Sequence, residues 1–110
     1  MYLSLKKNKE FVNVYNKKKS IANKNIIMYI CRNSTDKNRL GISISKKLGN
    51  SVVRNRNRRL IKECLRNNLN KIENGYDIVL IARKNIVGKS IFEVDSSIIH
   101  LLKLHKIYKK

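Results

Sequence analysis

Gly41–Arg66 reads GISISKKLGNSVVRNRNRRLIKECLR, and the hydrophobic period changes within it. Leu40, Ile42 and Ile44 alternate with Gly41, Ser43 and Ser45, the two-residue period of a strand with one aliphatic and one small, hydroxyl-bearing face. Gly49-Asn50 supplies a turn, and from Val53 to about Leu69 the period lengthens. At about 100° per residue, Val53, Leu60, Ile61, Cys64 and Leu65 fall on one arc of a helix. A strand, a tight turn and a helix with one apolar face to bury against the sheet place the chain in a mixed α and β class.

The same helix opens with Arg54, Arg56, Arg58 and Arg59 inside six residues. Arg54, Arg58, Lys62 and Arg66 follow one another at i, i+4, i+8 and i+12, so a cation recurs about every 6 Å along the axis, close to the spacing of successive phosphates on a nucleic-acid strand. Like charges at that spacing destabilise an isolated helix by about 0.2–0.5 kcal/mol each, and an anionic partner offsets that cost. A helix face is often basic merely because it is solvated. Here Glu63 is the only acid between Gly41 and Arg66, and arginine dominates in a chain that otherwise prefers lysine. Planar guanidinium forks match phosphate oxygens in geometry as well as charge.

Composition points to the same class of partner. Against 26 Lys+Arg stand 7 Asp+Glu, a formal net charge of +19 on 110 residues, and such self-repulsion is relieved by a polyanion. A hydrophobic content of 42% can build a core, so this is no disordered basic tail, and the length suits one domain over residues 1–110. No window approaches the roughly 20 apolar residues of a membrane span, and MYLSLKKNKEF lacks the apolar core of a signal peptide, so no membrane partner and a cytoplasmic location are expected. Cys31 and Cys64 form no CxxC and read as small buried hydrophobes rather than a disulfide or metal site.

Outside the central stretch, Asn8 is placed as the N-cap of a short helix to about Lys17, on which Phe11 and Tyr15 share a face. On pattern alone the two aromatics read as ordinary core residues. Lys24–Arg32, KNIIMYICR, is a strand, expected to neighbour the Leu40–Ile44 strand across the polar turn Asn33–Asn38. The run YDIVLIA, Tyr76 to about Ala82, is apolar on both faces and belongs in the middle of the sheet. Ser90 and Glu93 form a capping box for a last helix with the stripe Ile91, Val94, Ile98, Leu101 and Leu102.

Lys46, Lys47, Gly49, Asn50, Val53, Arg54, Asn55, Arg56, Arg58, Arg59, Leu60 and Lys62, within SKKxGNxxxRNRxxRLIK, resemble the signature of the bacterial ribonuclease P protein subunit family. The resemblance runs the length of the chain, through the FxxxY helix, KNIIMYI, GISISKK, the RNR helix, YDIVLIARK and the last amphipathic helix. Ser51 and Asn57 depart from it, standing where alanine and an aliphatic residue are usual. Asn57 lies mid-arc on the apolar face, where an unpaired amide costs about 1–3 kcal/mol. Either it bonds to backbone in the first helical turn or the helix lifts from the sheet.

The resemblance implies an α+β fold: a two-layer α/β sandwich in αβββαβα order, with a four-stranded sheet and a left-handed βαβ crossover, similar to a domain of a ribosomal protein and of elongation factor G. Pattern reasoning alone would choose the right-handed connection. It also implies a subunit of the tRNA-processing endoribonuclease in which RNA is the catalyst and magnesium is held mainly by the RNA, with no cofactor on the protein. The implied partners are the catalytic RNA and precursor tRNA, with no DNA. By position, Lys46, Lys47, Asn50, Arg54, Asn55, Arg56, Arg58, Arg59 and Lys62 would contact the catalytic RNA. Phe11, Tyr15 and Tyr29, with Ser43 and Ser45, would line a cleft for the single-stranded 5′ leader. No catalytic or metal-binding residue is expected on the protein, whose acids are scattered. Two other classes compete: a purely structural RNA-binding protein and, less well supported, a self-sufficient metal-dependent nuclease.

Overall fold

The computed structural model describes residues 3–109. Strands β1 (Leu3–Ser4), β2 (Ser20–Ala22), β3 (Ile26–Arg32), β4 (Arg39–Ser43) and β5 (Tyr76–Ala82) form one sheet in the order β1-β4-β5-β3-β2. Helices α1 (Asn8–Asn16), α2 (Ser51–Asn68) and α3 (Ile91–Leu104) complete the αβββαβα order, preceded by the two-residue β1 on the outer edge of β4.

β3 and β4, consecutive in sequence, are not paired with each other. β5 lies between them, antiparallel to β3 and parallel to β4, which corrects the expectation that the first two long strands neighbour one another. The reason is burial. Asp77, Ile78, Val79, Leu80 and Ala82 of β5 are all buried, and only a central strand is covered on both faces. The parallel β4–β5 pair requires a long crossover, and α2 provides it. β2 carries a single apolar residue, Ile21, and is a strand because β3 offers it an edge.

Two layers of helix sandwich the sheet. On one face, Ile26, Met28, Ile30, Leu40, Ile78 and Leu80 pack with Ile61, Cys64 and Leu65 of α2 and Val94, Ile98, Leu101 and Leu102 of α3. On the other, α1 covers part of the sheet through Leu5, Val14 and Val79, with Phe11, Tyr15, Tyr29, Cys31 and Ile81 packed around them. Cys31 and Cys64 are free thiols in these two clusters, with the sheet between them. Burial pushes the Cys64 thiol up to about 11, which leaves it an inert core hydrophobe.

The helix ends follow from side-chain chemistry. Ser90 Oγ accepts the Glu93 N–H and Glu93 Oε1 accepts the Ser90 N–H, both at 3.2 Å, the expected capping box of α3. α1 differs from expectation: Asn8 is its first helical residue and Lys7 its cap position, and Glu10 Oε1 accepts the N–H groups of Lys6 and Lys7 at 3.0 Å each. Those bonds hold the Glu10 carboxyl below the usual carboxylate range. A glutamate reaching back thus does the work assigned to an asparagine cap. Asn57 is buried on the apolar face of α2 and donates from Nδ2 to the Val53 carbonyl at 2.9 Å, so the helix stays seated.

His105, just beyond α3, is also buried, and its Nε2 donates to the Met28 carbonyl at 2.9 Å, leaving Nδ1 without a partner. Burial holds the imidazole below its ordinary value, the Met28 carbonyl opposes this, and the charge of Lys19 adds to it. The unfolded chain therefore binds the proton first. This contribution to stability is complete above the ordinary histidine value of about 6.5 and is lost as pH falls toward the lower folded value. The gap in thermal midpoint between the natural protein and His105→Gln should narrow between pH 7.5 and pH 5.5. A gap that stays constant would mean the imidazole titrates as it does in water.

Candidate nucleic-acid interface

The strand-to-helix junction is built by two caps. Past the end of β4, Ser45 Oγ accepts the Lys47 N–H at 3.0 Å and closes a single turn over Lys46–Leu48. Leu48 is buried as an anchor, and Lys46 and Lys47 are left exposed. Asn50 Oδ1 then accepts the Val53 N–H at 3.0 Å and starts α2. Lys46, Lys47, Asn50 and the four arginines consequently gather at the N-terminal end of one rigid helix.

Arg54 and Arg58 are half-buried at their stems, and Asn55, Arg56, Arg59 and Lys62 are exposed. Arg58 and Lys62 border a small cavity with Leu5, Leu40, Gly41 and Ile42 at the β4 edge. Arg56 and Arg59 border a groove on the opposite flank with Val52, Leu60, Ile91 and the carboxylate-bearing Glu63. The cations therefore wrap the whole outer half of α2 rather than following one line. Arg66, the last member of the i+4 series, is paired with Glu63, so the series is free only to Lys62. Among the described residues, no carboxylate pairs with Arg54, Arg56, Arg58, Arg59 or Lys62. The first turn of α2 holds no acid, so its cations stand at the positive end of the helix dipole, where an anion is favoured.

A second surface lies on the α1 face of the sheet. Strand register arranges that face in three cross-strand rows: Arg39–Asp77–Cys31, Gly41–Val79–Tyr29–Ser20 and Ser43–Ile81–Ile27–Ala22. Helix α1 is fixed over the first by an ion-pair relay. Arg39 donates from Nε and NH2 to the two oxygens of buried Asp77 at 2.8 and 2.5 Å, and from NH1 to Glu10 Oε2 at 2.9 Å. Over the second row lie Phe11, Val14 and Tyr15. The Tyr15 and Tyr29 rings meet edge to face with centroids 5.0 Å apart. The third row is only partly covered: Ser43, Ile81 and Ile27 are half-buried and Ala22 is exposed, which leaves a part-open apolar strip beside the α1 cluster.

Phe11, Tyr15 and Tyr29 are thus brought together as a half-buried aromatic cluster beside that strip. Ser43 lies on the adjoining open row. Ser45 lies beyond the strand, and its hydroxyl is engaged as the turn cap. Sequence reasoning missed the apolar floor, Val79, Ile81 and Ile27, and the Glu10–Arg39–Asp77 relay. It also passed over Gly41, whose added Cβ would lie 2.7 Å from two atoms of the Phe11 ring. An isolated glycine inside an alternating strand is a signal of such close approach.

These features define a class: a small, strongly basic α+β protein with a cationic crossover helix and a half-buried aromatic cluster on the opposite sheet face. The family model described as Ribonuclease P matches residues 2–106, and the chain belongs to that family. It is 53% identical over 104 residues to the ribonuclease P protein component of Lachnoclostridium phytofermentans, covering 94% of this chain and 90% of the relative. Identity to the component from Clostridium botulinum (strain 657 / Type Ba4) is 50% over 105 residues, covering 94% and 95%. Among solved structures, the Staphylococcus aureus RNase P protein superposes with a TM-score of 0.89 at 37% identity, over 99% of this chain and 100% of that one. The protein from Thermotoga maritima superposes with a TM-score of 0.85 at 30% identity, over 92% and 96%.

Gly41→Ala tests the close approach. The methyl group must displace the Phe11 ring, and overpacking of this kind costs about 1–3 kcal/mol, readable by urea denaturation. Combined with Phe11→Ala, the same substitution should cost much less than it does alone, because the opposing ring is gone. Strict additivity would place the ring elsewhere.

Proposed function

We propose that this chain is the protein subunit of a ribonuclease P whose catalyst is RNA, and that it assists removal of the 5′ leader from precursor tRNA. The observation that carries the reading is the stretch of α2 from Arg54 to Lys62, where among the described residues four arginines and Lys62 have no carboxylate partner and Arg54 stands in the first turn, which favours anions. Family membership supplies the RNA partner and the tRNA-processing context. In this reading Lys46, Lys47, Asn50, Arg54, Asn55, Arg56, Arg58, Arg59 and Lys62 grip the catalytic RNA.

The part-open strip beside α1 takes the single-stranded leader, with Phe11, Tyr15 and Tyr29 as its aromatic wall and Ser43 on its floor. Ser45 acts indirectly, by holding the Lys46–Lys47 turn. Aromatic faces stack on bases with little regard to sequence, at about 1–3 kcal/mol per base, and leaders differ between precursors, so such tolerance is useful. Magnesium is assigned to the RNA. Of the acids on this chain, Glu10 and Asp77 are held by Arg39 and Glu93 caps α3, and among the described residues no three His, Cys, Asp or Glu side chains cluster as a metal site. The protein acts in the cytoplasm, beside its RNA partners.

Adding the purified chain to its cognate ribonuclease P RNA at low magnesium should accelerate cleavage of a precursor with a long leader. Protein that leaves the RNA's rate unchanged would sink the reading, and acceleration indifferent to leader length would favour a purely structural RNA-binding role. Arg56→Ala and Arg59→Ala should each flatten the salt dependence of RNA binding by about one phosphate contact. Phe11→Ala should weaken affinity for precursor tRNA more than for mature tRNA. Equal weakening would assign Phe11 to the core alone.

A further inference from the structure

One large cavity lies away from both surfaces described above. It is a broad, open basin of about 860 Å³ lined by Asn70, Lys71, Lys103, Lys106, Tyr108 and Lys109. It sits where α2 and α3 end. At about 1.5 Å per residue, the last residue of α2, Asn68, is about 14–21 Å along the helix axis from Arg59 and Arg54. We propose that this basin is a second site for the phosphate backbone of RNA, a proposal that rests on the RNA-binding reading above.

Four observations support it. First, the lining contains four lysines and no acid, and among the described residues none of the four forms an ion pair. Second, the two helix ends do not account for that charge. Each carries about half a negative elementary charge, so together they balance about one of the four lysines.

Third, the basin is a built feature of the fold. Lys106, at φ 63°, turns the chain back after α3, and Tyr108 bridges to Ile72. The Lys109 N–H donates to the Lys71 carbonyl and the Glu73 N–H to the Ile107 carbonyl, both at 2.7 Å. The backbone thus holds Lys71 and Lys109 side by side, and the lysine side chains are left out of that fastening. Fourth, Lys103 Nζ sits over the Tyr108 ring, 5.5 Å from its centroid, which fixes one ammonium over a half-buried aromatic floor. Four ammonium groups in one basin exceed what a single small anion can neutralise. A chain of phosphates can satisfy them in succession, and lysines suit it because point charges follow a backbone of variable shape.

The test compares two fourfold variants of equal net charge in the full-length protein. One replaces Lys71, Lys103, Lys106 and Lys109 with glutamine, and the other replaces Lys9, Lys24, Lys84 and Lys89. Far-UV circular dichroism and thermal midpoints establish that both are folded. Binding to the cognate ribonuclease P RNA, and of the resulting complex to precursor tRNA, is measured across a salt series. Loss of the basin lysines should reduce the steepness of log K against log salt by about two to three for one of these RNAs, and affinity by about tenfold or more. The control set should change the slope by less than about one. Equal changes in both variants would overturn the site, as would competition by polyglutamate as effective as that by RNA, which would mark the basin as an acidic-protein surface. Arg56→Ala and Arg59→Ala, measured in parallel, separate the two proposals. If they too leave RNA binding unchanged, the fault lies with the functional reading; if they weaken it and the basin variant matches its control, only the second site falls.

Discussion

Strand β5 is paired along both edges and packed on both faces, and that central position sets the positions of both surfaces. Because Ile78 and Leu80 face the α2 and α3 layer and Val79 faces α1, the sheet must be covered on both faces. Because β5 runs parallel to β4, the link between them must travel over the sheet as a helix, and the sequence of that helix carries the arginines. The two surfaces then lie on opposite faces but share one strand. Gly41 of β4 borders the cavity of Arg58 and Lys62 and is also the residue against which the Phe11 ring rests. A side chain at that position would project on the α1 face, against Phe11 and Leu5.

The distribution of acids explains why so basic a chain folds and why its charge stays uncompensated where it matters. With seven acids against 26 bases, the chain cannot neutralise itself. Four of them serve the scaffold: Glu10 and Asp77 share Arg39 and hold α1 to the sheet, Glu93 closes the first turn of α3, and Asp95 accepts from the buried Asn68 amide at 2.8 Å. Glu63 takes Arg66, at the far end of α2 from the other arginines. The N-terminal half of α2 receives none. Neutralisation there is left to whatever anion the protein meets, so binding at that end relieves repulsion as well as forming contacts.

Legibility from sequence followed the range of the interactions involved. The capping box of α3, the apolar arc of α2 and the two-sided burial of β5 are written in adjacent residues, and each appears where its pattern placed it. The insertion of β5 between β3 and β4 is a contest among strands far apart in the chain, which local pattern cannot adjudicate. Ser20–Ala22 lacks a pattern of its own and is a strand only through β3. Asn8 is already inside the helix, and the N–H groups of Lys6 and Lys7 ahead of it are taken by Glu10, which reaches back from the first turn. The cost of Asn57 on the apolar arc is absent from the fold because its amide donates to a carbonyl one turn back, which the spacing of apolar residues does not show. In the α1 cluster, the aromatic spacing was visible, but the relay through Arg39 joins residues 10, 39 and 77 and exists only in the folded chain.

The two cationic ends of α2 differ in kind, and the difference bears on what each can recognise. At the N-terminal end the groups are guanidinium forks on a helix anchored by Asn50 and Leu48, with the stems of Arg54 and Arg58 partly buried. Little freedom remains to be lost when such a group meets a phosphate, and its planar donors demand a particular approach, so that end suits a folded RNA of defined shape. At the C-terminal end the groups are ammonium ions on flexible stems around a fixed backbone frame, with Lys103 alone held over an aromatic ring. That end tolerates many backbone paths and adds attraction without dictating register. The uninterrupted α2 helix holds these two kinds of end at a fixed separation, so what meets one end is positioned relative to the other.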